Sequence, residues 1–163
     1  WVSDITYIQT NDGFVYLTTI IDLYDRKLIG WSLSNNMSTK ETSLSAWRMA
    51  VKNRPIKKGL IFHSDQGVQY ATKKFTNTLE SYKVIRSMSH KGNFWDNAVA
   101  ESFFKSLKTE LIYGNKLISK QQMELEIFEY IEIWYNKRRR HRTLNYKTIE
   151  EFNNLNLTYK NVV

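Results

Sequence analysis

Asp4, Asp65 and Glu101 are the residues of this chain best suited to do chemistry. Asp4 sits in the strand-like run Trp1-Val2-Ser3-Asp4-Ile5-Thr6-Tyr7, where aspartate is a depleted residue type. Asp65 follows a short apolar run, in Phe62-His63-Ser64-Asp65-Gln66-Gly67, and Glu101 lies inside a helical pattern. Carboxylates at buried strand ends are costly unless a cation pairs with them. Three of them in a basic chain point to a divalent metal, and metal plus basic surface points to chemistry on a nucleic-acid phosphate. Cleaving a phosphodiester requires stabilising an entering oxygen, a leaving oxygen and the charged centre between them, which two ions about 3.5–4 Å apart accomplish. Mg²⁺ takes oxygen ligands and keeps several waters, so few carboxylates suffice; Mn²⁺ is the expected substitute. Asp4 on a central strand is the natural bridging ligand, with Asp65 and Glu101 flanking it. Taken singly, each acid has a plainer reading: Asp4 as a solvated edge residue, Asp65 as a turn or cap, Glu101 as a surface helix acid.

The elements that must hold these groups show as hydrophobic periodicity. Val2–Ile8 reads as a strand, Asn11-Asp12-Gly13 as a turn, and Phe14–Asp22 as a second strand. Tyr24-Asp25-Arg26 turns the chain into a third, Leu28–Leu33, which completes an antiparallel meander. Ser38-Thr39-Lys40-Glu41 has the form of a capping box opening a helix with Leu44, Trp47 and Val51 on one face, before Pro55. Leu60–Phe62 is a short strand leading to Asp65, Thr72 caps a helix bearing Phe75 and Leu79, and Val84–Ser87 is another strand. After a loop over Met88–Trp95, Asp96 or Asn97 caps a helix striped by Val99, Phe103, Leu107 and Leu111, with Glu101, Lys105 and Lys108 on a different face. Ser119-Lys120-Gln121-Gln122 is a second capping box, opening a helix that turns Ile127, Phe128, Ile131, Trp134 and Tyr135 inward and ends in the basic run Lys137–Arg142. A meander followed by alternating helices and strands implies an α/β fold: a mixed sheet with helices on both faces.

The chain has 163 residues, enough for one domain over its whole length, and is 42% hydrophobic. Its formal charge of +8 favours a polyanionic partner. The absence of Cys excludes disulfides and thiolate zinc sites. His63, His90 and His141 lack a metal-ligand spacing. No apolar run reaches the length of a membrane span, and no secretory signal is present. The chain opens without Met, directly in a strand, as expected of a fragment whose upstream part is missing.

Two long words are far more specific than three acids. His-Ser-Asp-Gln-Gly-Val-Gln-Tyr (63–70) and Ser-Met-Ser-His-Lys-Gly-Asn-Phe-Trp-Asp-Asn-Ala-Val-Ala-Glu-Ser-Phe-Phe-Lys-Ser-Leu-Lys-Thr-Glu-Leu (87–111) closely resemble the catalytic core of bacterial insertion-sequence transposases of the IS-three family. These are DDE enzymes related to retroviral integrases. Tyr-Asn-Lys-Arg-Arg-Arg-His-Arg-Thr-Leu (135–144) is similar to the family's closing motif, and the interval between Asp65 and Glu101 matches the family's spacing. The resemblance implies an RNase H-like fold with a five-stranded mixed sheet. It implies that Asp4, Asp65 and Glu101 are catalytic and hold two Mg²⁺ ions, and that Lys108 faces DNA. The implied function is strand cleavage at transposon ends followed by strand transfer by transesterification. The implied partners are transposon-end and target DNA and further copies of the full-length protein, in the cytoplasm at the bacterial nucleoid. The upstream DNA-reading region of complete relatives is absent. Two alternatives stand beside this: a nuclease of the same fold without strand transfer, and an inactive remnant that only binds DNA.

Lys91, Lys105, Lys108, Arg138, Arg139, Arg140 and Arg142 are the expected DNA-binding residues. For the basic run, a solvated helix end complementing the helix dipole is an equal reading. Trp95 is placed either to stack on an unpaired base or to staple the next helix; His90 and Lys91 lie in the same loop. His63 either orients Asp65 or is a satisfied strand-end residue, and Asp22 and Asp25 read as turn caps near the second strand. Thr148-Ile149 departs from the Ser/Thr-Pro that relatives carry before the final helix.

Overall fold

The computed structural model describes residues 1–89 and 97–160, with side chains through Asn156. Three strands, β1 (Val2–Thr10), β2 (Gly13–Ile21) and β3 (Leu28–Ser34), form the expected antiparallel meander. β4 (Ile61–Ser64) and β5 (Ile85–Met88) add in parallel, giving a five-stranded mixed sheet in the order β3-β2-β1-β4-β5. Between them run α1 (Ser43–Asn53), α2 (Val68–Ala71) and α3 (Lys73–Ser81). α4 (Ala98–Leu107), α5 (Lys120–Phe128) and α6 (Ile149–Lys160) follow.

Period-two alternation sorts the strand residues onto two cores. Val2, Ile21 and Leu28 pack with α4 and α5, whereas their neighbours Trp1, Ile20 and Ile29 pack with α1 and α3. Gly30 makes the second packing possible: a Cβ there would collide with the Ala46 carbonyl and lie 2.8 Å from the Ala50 Cβ, so α1 crosses β3 at backbone contact.

Several helix starts depart from the sequence reading. Ser38–Glu41 is not a capping box: Asn36 accepts from the Ser38 N–H and donates to Glu41, the Ser38 carbonyl accepts from the Glu41 and Thr42 N–H groups, and α1 begins only at Ser43. Competition from the nearby asparagine consumes the groups that such a box needs. Thr72 does cap α3 through the Phe75 N–H (3.3 Å), and Ser119 caps α5 through Gln122 N–H (3.2 Å). Asn97 precedes α4 without a side-chain cap; Asp96 and the other loop residues His90, Lys91, Phe94 and Trp95 lie outside the described residues. The final helix is opened by a reciprocal pair, Thr148 Oγ1 with the Glu151 N–H (3.2 Å) and Glu151 with the Thr148 N–H (2.8 Å). This capping box makes the proline of the relatives dispensable.

α4 and α5 each continue as π-helix, over Lys108–Ile112 and Glu129–Arg138. They close with five-residue bonds from Tyr113 N–H to Lys108 O (2.7 Å) and from Arg139 N–H to Trp134 O (2.8 Å). The looser winding shifts side-chain phase away from the 3.6 period. Ile127, Ile131 and Tyr135 are buried as expected, but Phe128 and Trp134 remain 49% and 37% exposed. Phe128 packs on Trp31, and Trp134 is stacked on Tyr130 with ring centroids 5.3 Å apart.

Two polar clamps tie distant segments to the sheet. The buried Asn136 amide accepts from the Leu28 N–H (3.0 Å) and donates to the Leu28 carbonyl (2.9 Å), as a neighbouring strand would. Arg54, after α1, pairs with Asp22 (2.6 Å) and Asp25 (2.7 Å) in the β2–β3 turn, and Asn153 of α6 donates to Asp25. Asp22 and Asp25 also cap that turn through the Tyr24 and Lys27 N–H groups.

Asn136→Ala strips both partners from a buried peptide unit and should cost about 2–4 kcal/mol. Urea unfolding checks this as a lower midpoint at constant slope. Burial pushes the Asp25 carboxyl up, but hydrogen bonds from Arg54, Asn153 and Lys27 outweigh it and hold it below its ordinary 3.8. A carboxyl depressed by folding contributes stability that is complete above its unfolded value and is lost as pH falls through the folded one. Stability should therefore decline below about pH 4, and Asp25→Asn should remove that part of the acid limb while costing about 3 kcal/mol near neutrality.

Candidate active site

β1 and β4 pair only through Val2↔His63 and Ser3↔Ser64, and Asp4 and Asp65 are the next residue on each strand. From β1 the sheet continues to β2 on one side, and from β4 to β5 on the other. A crevice at the carboxyl ends of parallel strands whose connections part in this way is where α/β sheets bind ligands. Asp4 shares the parity of Val2 and Ile8 and so faces the layer built by α4, whose first turn carries Glu101.

Local hydrogen bonds set each carboxylate. Asp4 accepts from the Ile5 N–H (2.7 Å), and Asp65 from the Gly67 N–H (3.0 Å). A Cβ on Gly67 would lie 2.9 Å from Asp65 Oδ1, so the glycine of Ser-Asp-Gln-Gly keeps room for that turn. Beside them, the Ser3 hydroxyl donates to the Thr19 carbonyl (2.8 Å), which commits its single proton; the contact with Tyr70 (2.8 Å) therefore has the phenol as donor. Burial holds the Tyr70 hydroxyl protonated far above its ordinary range, and the charges of Asp4 and Asp65 add to this. His63 is bonded at both ring nitrogens, to Ser87 (2.9 Å) and Ser89 (3.0 Å), so it is a satisfied strand-end histidine and does not orient Asp65.

The Asp4 carboxyl is pushed up to about 6, first by burial and then by the negative charges of Asp65 and Glu101, against the pull of the Ile5 N–H. Asp4 thus feels the charge of both other acids. Among the described residues, however, no three His, Cys, Asp or Glu side chains converge closely enough to hold a metal ion as they stand. The three candidate acids are therefore not gathered into a metal-holding group as they stand. Like charges in one crevice oppose closer approach, and Asp4 and Asp65 are turned onto their own backbone. The donor set itself, three hard carboxylate oxygens without sulfur or imidazole, fits Mg²⁺ or Mn²⁺.

The expected DNA-binding residues divide. Lys105, Arg138, Arg140 and Arg142 are exposed. Lys108 is half-buried with its ammonium 5.1 Å from the centre of the Tyr7 ring. Arg139 is largely occupied: it pairs with Glu110 (2.7 Å), donates to Ser106 (3.1 Å) and lies over Trp134. Lys91 lies outside the described residues. Sequence reasoning missed Arg54 and Tyr70, whose partners are remote in the chain.

Asp4 carries a cost of folding. An acid raised by folding destabilises above its folded value, and the penalty vanishes below the unfolded one. In chelator-treated protein, Asp4→Asn should raise stability by about 1–3 kcal/mol at pH 7.5, with the gain gone near pH 4. Paired denaturation curves at the two pH values check it.

The integrase core domain family matches residues 1–94, and a second family described by the same words matches 101–157. The transposase for insertion sequence element IS904 of Lactococcus lactis subsp. lactis (strain IL1403) is 42% identical over 156 residues, covering 96% of this chain and 61% of that protein. Transposase InsF for insertion sequence IS3A of Escherichia coli (strain K12) is 42% identical over 157 residues, covering 96% and 54%. The chain thus spans little more than half the length of these relatives. The HTLV-2 integrase catalytic core domain in complex with magnesium (trimeric form) superposes with a TM-score of 0.65 at 16% identity, covering 93% of each chain. The catalytic domain of Mos1 mariner transposase gives 0.65 at 15% identity, covering 81% and 69%. Likeness at such low identity shows the fold, which is RNase H-like. This chain belongs to the integrase core domain family.

Proposed function

We propose that this domain is the catalytic core of an insertion-sequence transposase, cutting DNA at an element end and joining the freed 3′-hydroxyl to a second phosphodiester. The observation that carries the reading is the position of Asp4 and Asp65 where β1 and β4 part, with Glu101 close enough to raise the Asp4 carboxyl. The 42% identity to named transposases supports the substrate class.

Asp4, Asp65 and Glu101 are the residues that would hold the metal. Bound divalent cations supply charge neutralisation and activation of the attacking oxygen in an in-line displacement. The chain's own part is to position and to exclude. β1 and β4 fix two acids on paired backbones, and rigid elements hold a site more accurately than loops. Tyr70 and Ser3 fill the floor beside them with neutral, fully bonded hydroxyls, leaving the acids as the local charge. Lys105, Lys108, Arg138, Arg140 and Arg142 supply cations for the DNA backbone; Lys91 is assigned the same role from sequence alone. Arg139 contributes chiefly by holding the helix end in place. Phosphate contacts carry no sequence information, so the domain alone should select weakly among DNA ends. Two ends acted on together call for more than one copy in the full protein, at the nucleoid of a bacterial cytoplasm; among the described residues no helix is long and apolar enough to cross a membrane.

Strand transfer from a labelled donor end into a target plasmid, in Mg²⁺ or Mn²⁺, tests the proposal. Joined product should form with the wild-type chain and vanish with Asp65→Asn, whose melting and DNA affinity should stay close to wild type. Hydrolysed product without joining would make the domain a nuclease. Wild-type joining by Asp65→Asn would overturn the site.

A further inference from the structure

A second feature involves α4, the helix that carries Glu101. A cavity of about 330 Å³ opens between the first turns of α4 and the C-terminal turn after the π-helical extension of α5. Arg139, Arg140 and Arg142 line it from the C-terminal turn, and Arg26 lines it from the β2–β3 turn, more than a hundred residues away in sequence. Among the described residues no Asp or Glu lines it. Ser102 and Ser106 of α4 and the Tyr135 hydroxyl supply neutral hydrogen-bonding groups.

The four guanidinium groups are not equivalent. Arg139 is spent on Glu110 and Ser106, and Arg140 on the Tyr146 carbonyl (3.0 Å), with Glu151 at 3.6 Å. Arg26 and Arg142 have no ion pair or hydrogen bond from their side chains among the described residues. Between these cations lies His141, only 8% exposed, with its Nε2 fully buried and without a partner among the described residues. A buried polar atom left unpaired is uncommon and costly, and it marks a place where something external completes the hydrogen bonding. Around that ring the field is cationic. Burial depresses the imidazole first, a hydrogen bond to the Tyr135 backbone opposes this, and Arg139 and Arg26 depress it further. Asp25, the acid acting the other way, is already committed to Arg54.

We propose that this cavity binds one phosphate group of DNA, with Arg26 and Arg142 as the free cations and His141 Nε2 as a hydrogen-bond partner. The assignment rests on the DNA-processing reading above and adds a phosphate subsite distinct from the metal-holding acids. Ser102 directly follows Glu101, so one helix, α4, carries both an acid of the candidate metal set and a wall of this cavity. A bound oxyanion supplies the acceptor that lets His141 carry its proton, so occupancy and protonation of the ring rise together. Two sources share this chemistry: an internal phosphodiester and a 5′-terminal phosphate.

The test follows the His141 ring by NMR in the 163-residue chain while inorganic phosphate is added, and compares Arg26→Gln and Arg142→Gln with wild type. A saturable shift toward the protonated ring is expected, with phosphate binding weakened about tenfold by either substitution. Duplex binding by the double variant should show a salt slope smaller by about 0.9, the loss of one phosphate contact. If a 5′-phosphorylated duplex displaces inorganic phosphate better than the unphosphorylated duplex, the ligand is the terminal group; equal displacement assigns an internal phosphodiester. No saturable His141 shift, or one unchanged in both variants, overturns the subsite while leaving DNA binding intact. A shift with inorganic phosphate but no duplex binding by the wild-type chain overturns the assignment to DNA and the functional reading with it.

Discussion

The short pairing between β1 and β4 governs the rest of the structure. Two residue pairs hold the strands together, and then they part. Longer pairing would bury the next two side chains against neighbouring strands and helices, where an aspartate is hard to keep charged. Shorter pairing would leave the two acids on separate, independently moving segments. The sheet needs the helices on both faces to make this junction rigid, because a parallel pair has no hairpin to fix its register. The cores on the two sides, one around Phe103, Leu107 and Ile127 and the other around Trp47, Phe62 and Phe75, are what hold Asp4 and Asp65 at the same level.

Charge is treated in opposite ways at the two ends of the meander. In the β2–β3 turn, Asp25 is fully buried but bonded by Arg54, Asn153 and Lys27, and folding lowers its carboxyl. At the crevice, Asp4 has one local hydrogen bond and two like-charged neighbours, and folding raises it. Among the described residues no cation forms an ion pair with Asp4. Unpaired and perturbed acids in a cleft are the pattern of a functional site, whereas the paired acid is structural. Asp25, the more deeply buried of the two, is the one whose carboxyl is lowered, so burial alone does not set the direction; the partner does.

The meander, the two parallel strands and the helix carrying Glu101 were legible because their apolar residues repeat at periods of two or of three and four. The acids stand out in the sequence only because of the words around them, since each alone has an ordinary structural reading. What sequence did not show depends on contacts between remote segments. Arg54 reads as one more basic residue after a helix until the fold sets it against Asp22 and Asp25. Asn136 reads as part of a basic motif until its amide is seen bonding both backbone groups of Leu28. Trp134 departs from the expected inward face because the α-helical period does not hold through a segment that winds as π-helix, whereas Phe128, still within α5, lies beside the buried Ile127 on the half-exposed flank that meets Trp31. The capping box at Ser38 failed for a local reason, a competing asparagine two residues earlier.

The C-terminal motif shows how one decapeptide serves fold and function together. Tyr135 and Asn136 point inward, the first edge-on to Phe103 with ring centroids 4.9 Å apart, the second onto β3. Arg139 reaches across to Glu110 and covers the Trp134 ring, which is also stacked on Tyr130. Trp134 is thus engaged by both Tyr130 and Arg139, and these contacts give it a place in the scaffold. These contacts anchor the backbone of the segment: His141 is held edge-on against Tyr135 at 5.1 Å, and Arg142 lines the cavity from the turn that follows. The basic run therefore separates by contact: Arg139 is spent on Glu110, Ser106 and the Trp134 ring, whereas Arg138 and Arg142 are exposed with no side-chain partner among the described residues. An arginine already spent on scaffold contacts is less available to an anion than an exposed one.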